Sequence, residues 1–120
     1  MDKVQALVNF WNGFSLKAYD ATSVPDDAQL PYITYEISTD NFGQQLSQTA
    51  SLWYRSSSWK EIQQKEMEIA DYISRGGLMI AYTNGAIWLR KGTPWALRLA
   101  GEGDEYVRRI VLNVEVEFLD

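Results

Sequence analysis

Two hydrophobic periods alternate along this chain. Val4, Leu7, Val8 and Trp11 recur at helical spacing behind Asp2, which predicts an amphipathic helix over residues 2–12 that stops near Gly13. Asp2 with Gln5 three residues later has the form of a capping box, in which a side chain accepts an orphan N–H of the first turn. The period then changes. Residues 14–30 carry Pro25 and the polar pair Asp26-Asp27, and read as a short extended piece at Leu16 to Tyr19 followed by a loop.

After Pro31, Ile33, Tyr35 and Ile37 fall on one side of a strand with Tyr32, Thr34 and Glu36 opposite. Beyond the turn-rich segment Ser38 to Gly43, Leu46, Ala50, Leu52 and Tyr54 face one way and Ser47, Thr49, Ser51, Trp53 and Arg55 the other. The two runs predict an antiparallel hairpin. Ser58 with Glu61 repeats the capping-box pattern, and Trp59, Ile62, Glu66, Ile69, Ala70 and Ile73 outline a second helix ending at Gly76-Gly77. Only Glu66 interrupts that stripe.

Asn84-Gly85 between apolar runs predicts a second hairpin with a type I′ turn, pairing Thr83 with Ala86. That register puts Ile80, Tyr82, Ile87 and Leu89 on the core face and Met79, Ala81, Trp88 and Arg90 on the reverse. Gly92-Thr93-Pro94 reads as a break, Trp95 to Leu99 as a short strand or turn, and Gly101 to Glu105 as a solvated loop. The last stretch alternates Ile110, Leu112, Val114, Val116 and Phe118 with Arg109, Val111, Asn113, Glu115 and Glu117, a long closing strand. The order α, β, β, α, β, β, β implies an α+β domain spanning residues 1–120, an antiparallel sheet with two helices packed on one face.

Composition narrows the chemistry. The 120 residues contain no Cys and no His, which removes disulfides, thiolate nucleophiles and the commonest metal ligand and general base. An apolar share of 46% with 22% charged residues is that of an ordinary globular domain. The longest apolar run, Leu78 to Tyr82, is far short of the ~20 residues of a membrane-spanning helix. The opening Met-Asp-Lys-Val-Gln lacks the pattern of a signal peptide, so the expectation is cytoplasmic synthesis. A net charge of −5 disfavours general attraction to a phosphate backbone.

Several stretches resemble a known family in their order and spacing. They are Leu30-Pro31-Tyr32-Ile33-Thr34-Tyr35, Leu52-Trp53-Tyr54-Arg55 before Ser56-Ser57-Ser58-Trp59, Gly85 to Gly92, and Arg108 to Phe118. Together, over nearly the whole chain, they resemble the tail terminator, or tail completion, proteins of long-tailed bacteriophages. The resemblance implies a virion component made in the bacterial host cytoplasm. It would form a ring, typically hexameric, that caps the tail tube, ends its polymerisation and offers a surface for head–tail joining. Implied partners are further copies of the chain, the major tail tube protein and the head–tail connector protein, with DNA only passing through the lumen and no membrane. The family has no catalytic residues and no required cofactor or metal, so the expectation is a structural protein and not an enzyme.

Interface candidates come from the residues themselves. Trp53 and Arg55 share the polar side of their strand, and Trp88 and Arg90 lie opposite Ile87 and Leu89; an uncovered Trp supplies large contact area. Alternatively, the first helix or residues 14–20 cover this face and make both tryptophans core. Phe42, in the turn-rich Asp40-Asn41-Phe42-Gly43, either reaches a neighbour or staples its own hairpin. Glu115 and Glu117 read first as charges guarding an edge strand, with a ring contact or negative lumen as the alternative.

Other chemistries have weaker footing. Arg90, Lys91, Arg98, Arg108 and Arg109 interleave with Trp88 and Trp95 in the manner of a groove for single-stranded nucleic acid, but Glu102, Asp104 and Glu105 offset them. Gly101 to Glu105 lacks the ligand alternation of a calcium loop. Asp26-Asp27 and the carboxylates Glu61, Glu66, Glu68 and Asp71 show no positioned acid–base pair, and Lys65 stands at i+4 from Glu61 as on a solvated helix face. A neck or head–tail connector protein is the nearest alternative function, and a single-stranded nucleic-acid-binding domain the more distant one.

Overall fold

In the computed structural model, which describes residues 1–39, 45–99 and 104–120, the first helix begins where the sequence predicts. Asp2 Oδ1 accepts Gln5 N at 2.7 Å and caps α1 (Lys3–Trp11). Only half of the capping box forms, because the Gln5 amide turns along the helix to Asn9 Oδ1. Ala6, Leu7, Phe10 and Trp11 form its buried stripe; Leu7 and Trp11 are buried as expected, but Val4 is 44% exposed and Val8 only partly buried, because the buried face is turned toward Ala6 and Phe10.

The six strands are β1 (Lys17–Asp20), β2 (Tyr32–Tyr35), β3 (Gln45–Arg55), β4 (Leu78–Tyr82), β5 (Gly85–Leu99) and β6 (Val107–Leu119). They form one sheet in the order β1-β2-β3-β6-β5-β4. All pairings are antiparallel except β1 with β2, which run parallel. The expected β2–β3 hairpin is present, with Ile33 opposite Leu52. The extended piece near Leu16 to Tyr19 becomes β1, and the loop after it lets β1 lie alongside β2.

Helix α2 (Lys60–Ile73) buries Ile62, Ile69 and Ile73. Its expected capping box is replaced by a simpler contact, Ser58 Oγ accepting Lys60 N at 3.0 Å. Both helices add their apolar stripes to one core with Ile33, Leu52, Ile87, Leu89, Ile110, Leu112 and Phe118. The molecule is thus an α+β fold whose helices share one face of the sheet. Lys65, whose spacing suggested Glu61, instead reaches the Phe14 carbonyl at 2.7 Å and Glu68 at 2.9 Å. It ties α2 to the segment following α1.

Three sequence expectations are corrected around β4, β5 and β6. The β4–β5 hairpin turns at Thr83-Asn84 and pairs Tyr82 with Gly85, not Thr83 with Ala86. Asn84 and Gly85 are not among the positive-φ residues, so this is not the type I′ turn that Asn-Gly suggests. Gly85 is instead the first residue of β5, where a Cβ would stand 2.5 Å from the Leu119 carbonyl oxygen. The partner shift is even, so the expected faces survive.

Gly92-Thr93-Pro94 does not end the strand either. β5 continues to Leu99 through a bulge between Lys91 and Ala96, which absorbs the residues that cannot pair. Asn113 opposite it donates from Nδ2 to the Pro94 carbonyl at 2.9 Å. Finally, β6 is no edge strand. It sits between β3 and β5, because its inward side from Ile110 to Phe118 is the longest apolar alternation and needs cover along its full length.

Candidate functional site: the helix-free face of the sheet

Strand alternation sends Trp53, Arg109, Trp88, Arg90, Glu115 and Glu117 to the face opposite the helices. No described helix lies on that side, so the alternative in which α1 or residues 14–20 buries both tryptophans does not hold. Neither tryptophan is open, however. Each is half-buried under an arginine from the adjacent strand or its own.

The register resolves the candidates into two patches. In the first, Trp53 lies between Tyr32 and Arg109. The Arg109 guanidinium stands 4.6 Å from the Trp53 ring centroid, and its Nε donates to Ser51 Oγ at 3.2 Å. The Trp53 indole N–H donates to Thr34 Oγ1 at 2.9 Å. Thr34 and Ser51 are buried, so the pair roofs two hydroxyls that would otherwise lie open. Tyr19 and Tyr32 extend the patch with an edge-to-face contact at 5.6 Å. Arg55 lies beyond it, exposed and paired with Asp104 at 2.7 Å. The Asp104 carboxyl is held below its usual 3.8, first by the Tyr106 backbone N–H and then by Arg55.

In the second patch, Gln45, Glu117, Trp88 and Met79 form one row across four strands. Ser47, Glu115 and Arg90 form the next. Arg90 stacks 3.9 Å from the Trp88 ring and reaches Glu117 at 3.5 Å, while Gln45 Nε2 donates to Glu115 at 2.8 Å. The Trp88 indole donates to the Gly76 carbonyl at 3.1 Å. Glu115 and Glu117 are therefore members of an interior cross-strand network and do not guard an edge. Trp53 lies eight residue steps along β3 from Gln45, roughly 27 Å of strand. The two patches are distinct sites.

The sequence-level groove for single strands is not assembled. Arg98 and Arg108 go to the helix side, where they bracket Trp59 at 4.7 and 5.2 Å. The basic residues are thus divided between opposite faces. Trp59, read only as part of a helix stripe, has two arginine neighbours that no local pattern signals. Phe42 and its turn, Ala100 and the residues Gly101, Glu102 and Gly103 lie outside the described residues. Among the described residues there is no group of three or more acidic side chains able to hold a metal, and no helix long and apolar enough to cross a membrane.

The geometry defines a two-layer α+β protein with one helix-covered sheet face and one that no described helix covers. No protein-family model and no curated protein matches the chain. Among solved structures, the fold is similar to that of a chain in the virion of a native gene transfer agent particle. The TM-score is 0.60 at 16% identity, covering 98% of this chain and 85% of that one.

Proposed function

We propose that this chain is a structural subunit of a phage-like particle, acting as a ring at the end of a tail tube. The observation that carries the reading is the fold likeness over 98% of the chain to a component of a gene transfer agent virion. The sequence resemblance to tail terminator proteins points the same way and supplies the finer assignment: a homohexameric ring, in the tail or neck of the virion, that stops tube growth and receives the head–tail connector. In this reading the helix-free face supplies the contacts. The Trp53–Arg109 patch and the Trp88–Arg90 patch, with Arg55, Glu115 and Glu117 around them, meet neighbouring copies or the tube. Both stacked pairs are already ordered, so docking on them immobilises little further side-chain freedom. Phe42 stays a candidate contact on sequence grounds.

Negative-stain microscopy of the purified chain, alone and mixed with purified tail tubes lacking their terminal cap, tests the reading. Rings, or density confined to one end of the tubes, are expected. A chain that forms no ring and leaves both tube ends bare would sink the proposal. Binding to the head-side connector with none to the tube would reassign the chain to the neck. Trp88→Ala with Arg90→Ala should reduce end binding by roughly tenfold or more while the chain stays folded.

A further inference from the structure

The sheet ends on two strands of opposite character. β1 carries the exposed charges Lys17 and Asp20, and its Ala18 N–H is taken by Asn12 Oδ1 at 3.2 Å. Charged side chains and a side-chain cap are the usual means of closing a sheet edge to another chain. β4 has neither. Leu78–Tyr82 contains no charged residue and no proline.

The β4–β5 hairpin closes at Tyr82–Gly85 through a two-residue turn, so Tyr82, Ile80 and Leu78 exchange hydrogen bonds with β5. Met79 and Ala81, in between, direct their N–H and C=O groups away from the sheet. The next outward donor, Thr83 N, is occupied by the Met1 carbonyl at 2.8 Å, which leaves Met79 and Ala81 as the open stretch of edge. Beside them lies a groove of about 340 Å³ between the strand, α1 and the end of α2. Met1 and Tyr72 stand around it, exposed by 55 and 60%, while Met79, 56% exposed, projects from the same strand on the opposite, helix-free face beside Trp88. Exposed apolar side chains on both sides of a strand with unpaired backbone suit an extended partner strand.

We propose that β4 pairs with the β4 of a second copy, antiparallel, across a two-fold axis at Ile80. In that register Met79 of one copy faces Ala81 of the other, and both pairs exchange backbone hydrogen bonds. Among the described residues, the sheet of a second copy ends on β1 and β4, and β1 is closed. β4 can meet itself because it carries no charge to repel its own image. The contact buries Met79 and brings the two grooves together, so that Tyr72 and Met1 cover the junction. It is isologous and therefore makes pairs, not rings. It does not rest on the tail-end reading.

The test is sedimentation velocity of the full chain over a concentration series, combined with amide hydrogen exchange at Met79 and Ala81. Wild type should form a concentration-dependent dimer in which both amides gain protection. Met79→Lys places a charge on the open edge, and Met79→Pro removes an outward N–H that no bond to β5 uses. Each should raise the dimer dissociation constant by roughly tenfold or more. A wild-type circular dichroism spectrum and melting temperature for Met79→Lys serve as the folding control, and Met79→Pro gives the second route should one variant fail. The proposal is overturned by wild type that stays monomeric, by dimers whose Met79 and Ala81 amides exchange freely, or by dimers that persist in both variants. Protection that arises only on adding a different protein also overturns it, by making β4 a site for a foreign strand.

Discussion

Arg109 reaches over Trp53 from the neighbouring strand, 4.6 Å from guanidinium carbon to ring centroid, and each anchors a buried hydroxyl, Ser51 and Thr34 respectively. The two side chains hold one another in place, so their removal should not be additive. A double-mutant cycle with Trp53→Phe and Arg109→Met, read by urea unfolding, should show a coupling of about 0.5–1 kcal/mol. Trp53→Phe alone should cost about 1 kcal/mol, because the Thr34 hydroxyl loses its donor while staying covered. Additive single effects would refute the coupling.

Gly85 is held by space, not by backbone conformation. Its φ is not positive, yet a Cβ there meets the Leu119 carbonyl at 2.5 Å and the Asp120 Cα at 3.0 Å, both backbone. Gly85→Ala should therefore cost about 1–3 kcal/mol through a forced shift between β5 and the end of β6. Gly76→Ala is the control. Nothing stands within 4 Å of that Cβ, and its effect should stay within about 0.5 kcal/mol. Equal effects in thermal melts would contradict the account.

The Tyr54 phenol is raised above its usual 10.0, chiefly by burial and then by Glu61 and Glu68 on α2. Tyr35 is raised as well, first by burial and then by Asp20. A phenol with a higher pKa folded than unfolded contributes stability that is fully present below pH 10 and is lost as pH climbs toward the folded value. Urea midpoints should accordingly hold between pH 7 and 9 and fall above pH 10. Tyr54→Phe should flatten that fall, and an unchanged alkaline slope would exclude Tyr54 as its source.

Lys65 joins α2 to the carbonyl of Phe14, with its side chain only 14% exposed. Lys65→Met keeps the aliphatic stem and removes the ammonium, and should cost about 1.5 kcal/mol. Glu68 is half exposed, so Glu68→Gln should change stability by under about 0.5 kcal/mol. A large loss at Glu68 would mean that the ion pair, and not the Phe14 bond, holds this corner.

Much of the architecture was readable one element at a time. Helical spacing marked α1 and α2, period-two alternation marked β2, β3 and β6, and Ile33, Leu52, Ile87, Leu89 and the inward residues from Ile110 to Phe118 are core as expected, whereas Ile37, Leu46, Ile80 and Tyr82 are only partly buried at its margin. These signals are local, since a side chain's face depends only on its neighbours in sequence. The face of Trp88 was legible even with the turn misplaced, because an even shift of register preserves which side each residue takes.

What the chain alone left open was every question of adjacency. Alternation cannot say which strands are neighbours, so β6 read as an edge when it lies at the centre, and Glu115 and Glu117 read as guards when they belong to a network with Gln45 and Arg90. The same gap hid the parallel β1, the buried Gln48 whose amide donates to the Ser38 carbonyl, and the arginines over Trp53 and Trp59. The sequence determined the elements and their inward faces through the periodicity of the backbone. Only the tertiary structure decided strand order, and with it which charges meet, which tryptophans are roofed and which edge is left open, because those depend on contacts between residues far apart in the chain.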